Sequence, residues 1–224
     1  MNEICALMCV WGRLERLEKT LSQLNAQTFK NFDLYILNNN PQEKKYVEDL
    51  ILQHKGSLNI TLCHSEINLG PMVRFLKAKE LDYSYAVILD DDEDFGITMM
   101  EVFNAEKEEK TLKAVVASDF KDDFTKRKRA YDGIAKYLGP GGMIADMSIF
   151  KMDEFWELWK PEYYVADDCW LSYFAQKIGW KTTVSKAPLF LSRSDENSML
   201  RQKTIQDIKN NFVKNYEWTS SIKE

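Results

Sequence analysis

An α/β fold with a mostly parallel central sheet flanked by helices is what this sequence predicts. Two observations carry that expectation. Through the first half, short apolar runs of strand length alternate with stretches of helical period, the pattern of strands joined by crossover helices. Each run stops in a polar or turn-forming cluster, as strands of a parallel sheet do where they empty onto one edge. The 224 residues, 45% of them hydrophobic, are long enough to bury one sizeable core and exclude bulk disorder.

The elements follow in order. Ile4 to Val10 reads as a buried strand. Leu14, Leu17, Leu21 and Leu24 recur at spacings of 3, 4 and 3, which is one face of a helix. Leu34 to Leu37 is a second strand, stopped by the Asn38-Asn39-Asn40-Pro41 turn. Tyr46, Leu50 and Ile51 predict a helix ending near Gly56, and Ile60 to Cys63 a third strand. After the Asn68-Leu69-Gly70-Pro71 turn, Met72 to Leu81 reads as a helix. Tyr85 to Leu89 is a fourth strand that runs straight into Asp90-Asp91-Asp92. The second half is less regular. Lys113 to Ser118 is a strand candidate, Lys121 to Arg129 a charged loop or hairpin, and Gly139 to Gly142 a break. Phe155 to Trp159 belongs to a short helix that Pro161 stops. Asp168 to Ile178 reads as a helix, with Asp167 or Asp168 at its start and Gly179 at its end. Thr182 to Leu191 reads as extended, and Met199 to Tyr216 as a last helix. With no repeat or linker, residues 1–224 are expected to form one domain.

Lys and Arg number 30 against 35 Asp and Glu, a net charge of −5, which argues against a general nucleic-acid coat. The four cysteines (Cys5, Cys9, Cys63 and Cys169) match no zinc spacing and read as thiols of a reducing compartment. No apolar stretch approaches a membrane span, and the start lacks the form of a signal peptide. A cytoplasmic protein is expected, with the membrane surface as the alternative.

Two acidic groups draw attention. Asp90 to Asp94 puts four aspartates and a glutamate in five residues at the end of a buried strand. Crowded carboxylates must be solvated or neutralised, and oxygen ligands of this kind suit Mg²⁺, Mn²⁺ or Ca²⁺. In an extended chain Asp90 and Asp92 share a side that Asp91 does not. A calcium loop of EF-hand type would use Asp90, Asp92, Asp94 and Glu101, but Phe95 stands where that loop needs glycine. Asp167-Asp168 opens a helix; one acid suffices as a cap, which leaves the other for general-base work.

Taken together these segments resemble inverting sugar-nucleotide glycosyltransferases of the GT-A fold, family 2-like. The opening strand with Arg13 and the Leu14 to Phe32 stretch, Asn68-Leu69-Gly70 followed by Arg74, Asp90-Asp91-Asp92, and Asp167-Asp168 with Trp170 to Lys181 occur in the family's order over about Ile4 to Leu191. The resemblance implies a single GT-A domain with a Rossmann-like first half. About 1–95 would bind the nucleotide sugar, and about 96–224 would supply the acceptor half and a C-terminal helix. It implies transfer of a sugar from a nucleoside-diphosphate sugar, UDP-linked by preference, to an acceptor hydroxyl. Asp90 and Asp92 would hold Mn²⁺ or Mg²⁺ and Asp168 would be the base. Val10, Trp11, Arg13, Asn38, Asn68, Gly70, Arg74 and Asp91 would line the nucleotide-sugar site. Gly141, Gly142, Asp167 and Trp170 would meet the acceptor or donor sugar. The family's late metal-binding histidine is missing, since the only histidines are His54 and His64. Asp195, Asn197 or water would take its place, and Arg193 and Asp195 would make C-terminal loop contacts.

The acceptor is expected to be a glycan or lipid-linked sugar. Lys126-Arg127-Lys128-Arg129 raises a modified nucleobase as another, although Asp122, Asp123 and Asp132 offset that charge. Two rival classes share the alternating sheet or its pocket: a nucleotidyltransferase, for which Val10-Trp11-Gly12-Arg13 is a poor phosphate loop, and a catalytically silent sugar- or nucleotide-binding module.

Overall fold

Strand β1 (Ile4–Val10) is an interior strand of the sheet and is buried on both faces. The computed structural model describes residues 2–191 and 203–218. The first half runs β1, α1 (Leu14–Asn25), β2 (Phe32–Asn38), α2 (Lys44–His54), β3 (Asn59–His64), α3 (Val73–Glu80) and β4 (Tyr85–Asp90). β5 (Glu93–Phe95), α4 (Met99–Ala105), β6 (Thr111–Ala114), β7 (Ala117–Asp119), β8 (Lys128–Ala130), β9 (Tyr137–Leu138) and β10 (Met143–Asp146) follow. The chain then forms α5 (Asp153–Glu157), α6 (Asp167–Lys177), β11 (Lys181–Val184), β12 (Leu189–Leu191) and α7 (Lys203–Asn215).

The central sheet has seven strands in the order β11-β6-β10-β4-β1-β2-β3. β1 pairs in parallel with β2 and β4, β2 with β3, and β6 with β11. β10 is antiparallel to both β4 and β6. The period of two along each strand divides the core into two layers. Cys5 and Leu7 of β1, Ala86 and Ile88 of β4 and Met143 of β10 face the layer of α3, α5, α6 and α7. Ala6, Met8, Val87, Leu89 and Ile144 face the layer of α1, α2 and α4. In α1 the predicted stripe is buried at Leu17, Leu21 and Leu24. Phe155 of α5 centres the aromatic packing of the other layer, with Phe75, Phe150, Trp170 and Phe174 rings within 6.1 Å of its own.

The alternation expected for the first half is present element by element. The second half departs in four places. Lys113 to Ser118 is two strands: Ala114 pairs with β10, whereas Ala117 has left for a small sheet of order β8-β7-β9. β10 itself is too short to show a pattern, yet it lies between β4 and β6. β5 lies inside the acidic cluster and pairs with β12. α4 carries Glu101, whose carboxylate accepts from Thr28 Oγ1 at 2.7 Å, so this is no EF-hand loop. Among the described residues no helix is long and apolar enough to cross a membrane. The four cysteines are free thiols, with Cys5 and Cys169 buried.

Candidate active site

Parallel pairing brings the carboxyl ends of β1, β2, β3 and β4 to one edge, and the polar clusters after them gather there. Because β10 runs the other way, the loop that feeds it, Gly139 to Gly142, reaches that same edge; Gly142 N donates to Ile88 O at 3.0 Å. The first turn of α6 closes the far side. Between them lies a cavity of about 600 Å³ lined by Trp11, Arg13, Asn68, Gly70, Arg74, Asp90 to Glu93, Gly141, Asp167 and Asp168, among others. Predicted contributors from both halves of the chain, though not all of them, therefore line one cleft.

The acidic cluster is neutralised mostly by arginine. Arg13 Nη1 lies 3.0 Å from Asp92 and 3.7 Å from Asp91, and Arg74 Nη1 is 2.7 Å from Asp90 Oδ1. Asp94 points elsewhere and pairs with Arg16 and Lys19 on α1. Asp91 is 8% exposed. Burial, with the charges of Asp92 and Asp90 beside it, pushes its carboxyl up to about 7. Asp92 is raised by burial and by Asp90. Burial likewise pushes the Cys9 thiol on the cleft wall up to about 12, so it remains protonated near neutrality.

Arg74 is the hinge of the site. It lies in the first turn of α3, 2% exposed, and joins the two acidic groups: Nη1 to Asp90, Nε and Nη2 to Asp167 Oδ2 at 3.3 and 3.1 Å. The resemblance places it near the nucleotide base or phosphates; here its fork is taken up by carboxylates. Neither Asp167 nor Asp168 caps α6. Ala166 holds the cap position, with no side-chain bond, and both acids lie in the first turn. Neighbours on a helix diverge by about 100°, so the two side chains part. Asp167 turns to Arg74. Burial raises its carboxyl to about 6 against the pull of Arg74. Asp168 turns to β9 and α7: Oδ2 accepts from Tyr137 Oη at 2.6 Å and from Lys209 Nζ, and Oδ1 from Cys169 N at 2.7 Å. Burial alone would raise Asp168, but Lys209 and these donors outweigh it and hold the carboxyl below its usual range.

The other expected residues divide by burial. Asn68 Oδ1 accepts from Gly70 N and Asn39 Nδ2, both at 2.8 Å, and Asn39 Oδ1 accepts from Leu69 N, which sets the loop ahead of α3. Gly70 has φ +67°, and a Cβ there would sit 2.7 Å from the Tyr164 ring. Trp11 is 45% exposed at the mouth. Val10, Asn38 and Trp170 are each 0% exposed and stay off the cleft surface. Trp170 belongs to the aromatic core. Asn38 bonds His64 and Asn40 N, so its neighbour Asn39 is the one on the cleft wall. Gly142 packs toward Leu189. Arg193, Asp195 and Asn197 lie outside the described residues. Tyr137, Tyr164 and Lys209 line the cleft unforeseen. Lys209 had a legible signal, a lysine on the apolar stripe of Ile205 and Phe212; the tyrosines had none. In the basic run Arg127 bonds Phe124 O and Gln206, Arg129 bonds Val115 O and Lys126 pairs with Asp123, while Lys126, Lys128 and Arg129 stay exposed.

Among the described residues no three metal-ligating side chains gather into a closed site. The donors that are present fit a Mg²⁺- or Mn²⁺-sized ion that takes one or two carboxylates and fills its shell with phosphate oxygens and water. Gly141 keeps the space open: a Cβ there would stand 3.1 Å from Asp90 Oδ2 and from Glu93 Oε1.

No protein-family model and no curated protein matches the chain. Solved structures do. GalNAc-T7 with UDP, GalNAc and Mn²⁺ superposes with a TM-score of 0.70 at 10% identity, over 97% of this chain and 48% of that one. S. aureus TarS gives 0.61 at 15% identity, over 84% of this chain and 36% of that one. TarS 1-349 in complex with UDP gives 0.61 at 15% identity, over 85% and 60%. The chain thus spans 36–60% of the length of these structures. At such identity the likeness is one of fold, and the fold is that of GT-A-type glycosyltransferases.

Proposed function

We propose that this chain is a sugar-nucleotide glycosyltransferase, moving a sugar from a nucleoside-diphosphate sugar, UDP-linked by preference, to an acceptor hydroxyl with inversion at the anomeric carbon. The observation that carries the reading is the convergence of Asp90 to Asp92 and Asp167-Asp168 on one cleft, joined by Arg74, within this fold. UDP and Mn²⁺ in the neighbouring structures support the choice of donor and ion.

Trp11 and Arg13, at the end of β1, flank the nucleotide side of the cleft. The Asn39–Asn68–Gly70 loop fixes the floor. Asp90 and Asp92 would hold Mn²⁺ or Mg²⁺, which when bound supplies Lewis-acid neutralisation of the departing diphosphate. Arg74 keeps Asp90 and Asp167 in register, so donor and acceptor sides share one frame. Asp168 takes the acceptor proton. Its Oδ2 already accepts two bonds, so the remaining lone pair of Oδ1 is the one that receives it. With its carboxyl held below the ordinary range, Asp168 stays ionised through neutral pH and accepts the proton as the leaving group departs. One displacement gives inversion.

The test is incubation with a panel of sugar nucleotides, Mn²⁺ and sugar acceptors, with products resolved by mass and anomeric NMR. Free nucleoside diphosphate with a product of opposite anomeric configuration supports the proposal. Pyrophosphate release would assign nucleotidyl transfer instead, and binding without either product a silent module.

A further inference from the structure

Lys209 is a lysine where the pattern of its helix calls for a hydrophobe. α7 turns Ile205, Phe212 and Val213 inward, and Lys209 on the same stripe is 3% exposed. Its ammonium pairs with Asp168 Oδ2 and stands 5.6 Å from the Phe124 ring centre and 5.7 Å from that of Tyr137. Three separate parts of the chain thus build one compartment around a single carboxylate: α7, the turn at Phe124, and β9. Stability alone explains this poorly, because an apolar side chain of similar volume often serves as well as a buried ion pair.

We infer that Lys209 is a positioning residue for Asp168, so that α7 is a working part of the active site and not only its packing. The ammonium and the Tyr137 hydroxyl occupy Oδ2 together and prevent the carboxylate from rotating. Oδ1 is then the oxygen presented to the acceptor. The titratable and charged groups around Asp168 are Lys209 from α7, the neutral Tyr137 from β9 and, on its own helix, Asp167 and the neutral Cys169, with Arg74 behind Asp167. Of these, Lys209 is the cation in contact with it, so removing Lys209 moves Asp168 upward in pH. The role in turnover rests on the proposed function; the pairing does not.

The experiment compares wild type, Lys209→Met and Lys209→Arg. Asp carboxyls are ¹³C-labelled and the Asp168 signal is assigned by its loss in Asp168→Asn. In Lys209→Met the Asp168 titration is expected about 1–3 units higher, as when a contacting opposite charge is lost. The acid limb of the kcat profile follows it, and kcat at neutral pH falls about tenfold or more with donor KM within about twofold. Lys209→Arg keeps the charge and is expected to keep Asp168 low. A lysine that merely packs would change Tm and leave the titration and the acid limb in place, and that result overturns the inference. If the wild type releases no nucleoside diphosphate from any sugar nucleotide while the Asp168 signal still moves, the transferase reading fails and the pairing stands. If the signal stays put, the inference fails whatever the activity.

Discussion

Asp167 and Asp168 are adjacent and chemically identical, yet the fold gives them opposite electrostatic settings. Asp167 is buried against one guanidinium, and burial raises its carboxyl; Asp168 is buried against an ammonium, a phenol and a backbone N–H, which hold its carboxyl below the usual range. Asp168→Asn is therefore expected to lower turnover about 10²-fold or more, as loss of a general base does. Binding of the donor, measured by calorimetry with UDP and Mn²⁺, should remain. Lys136 offers a second test at this scale. It is 2% exposed, donates to the carbonyls of Phe120 and Lys121, and lies 4.1 Å from the Phe120 ring centre. Burial lowers its ammonium from 10.5 to about 8. Between those values the unfolded chain holds the proton that the folded chain has released, so folding becomes more favourable as pH rises through that window. Urea denaturation of wild type against Lys136→Met should show the wild type gaining stability relative to the variant from about pH 8 to pH 10.

At the scale of elements, the placement of one antiparallel strand matters most. β10 enters the sheet from the cleft edge, so the loop ahead of it brings Gly141 against Asp90 and Glu93. Gly141 does not need left-handed backbone; it needs to be small. Gly141→Ala is expected to leave Tm within a few degrees and to weaken Mn²⁺-dependent UDP binding about tenfold, or about 1.4 kcal/mol, by calorimetry. Unchanged affinity would remove the loop from the donor site. α6 and α7 act in the same way: each is an ordinary packed helix by its apolar face, and each carries its chemistry at one or two positions on the cleft side.

For the whole molecule, the relevant property is that binding and folding are linked. A ligand taken only by the folded chain at 100 times its Kd adds about 2.7 kcal/mol, a rise of about 5–11 °C in Tm for a chain of this size. A thermal-shift panel of UDP, GDP, CDP, ADP and dTDP, each with and without Mn²⁺, is expected to show that rise for one diphosphate and only with the ion. The expected winner is UDP. No rise with any of them would leave Asp90 to Asp94 as an acidic turn neutralised by Arg13, Arg16, Lys19 and Arg74 alone.

By itself the sequence determined the alternating half of the fold and the identity of the acidic groups. The signals there are local: hydrophobic period, turn residues, and strands that end in polar clusters. Leu17, Leu21 and Leu24 announce α1, and the Tyr85 to Leu89 run announces β4, because a strand or a helix face is read from residues a few positions apart. The tertiary structure alone decided which acids meet which cations. Arg74 lies 16 residues from Asp90 and 93 from Asp167, and Lys209 lies 41 from Asp168. It also decided that β10 fits between β4 and β6, and that Trp170 and Asn38 face inward while Asn39, Tyr137 and Tyr164 reach the cleft. Nothing local encodes those pairings. A buried charge has to be matched by whatever partner the completed packing brings to it.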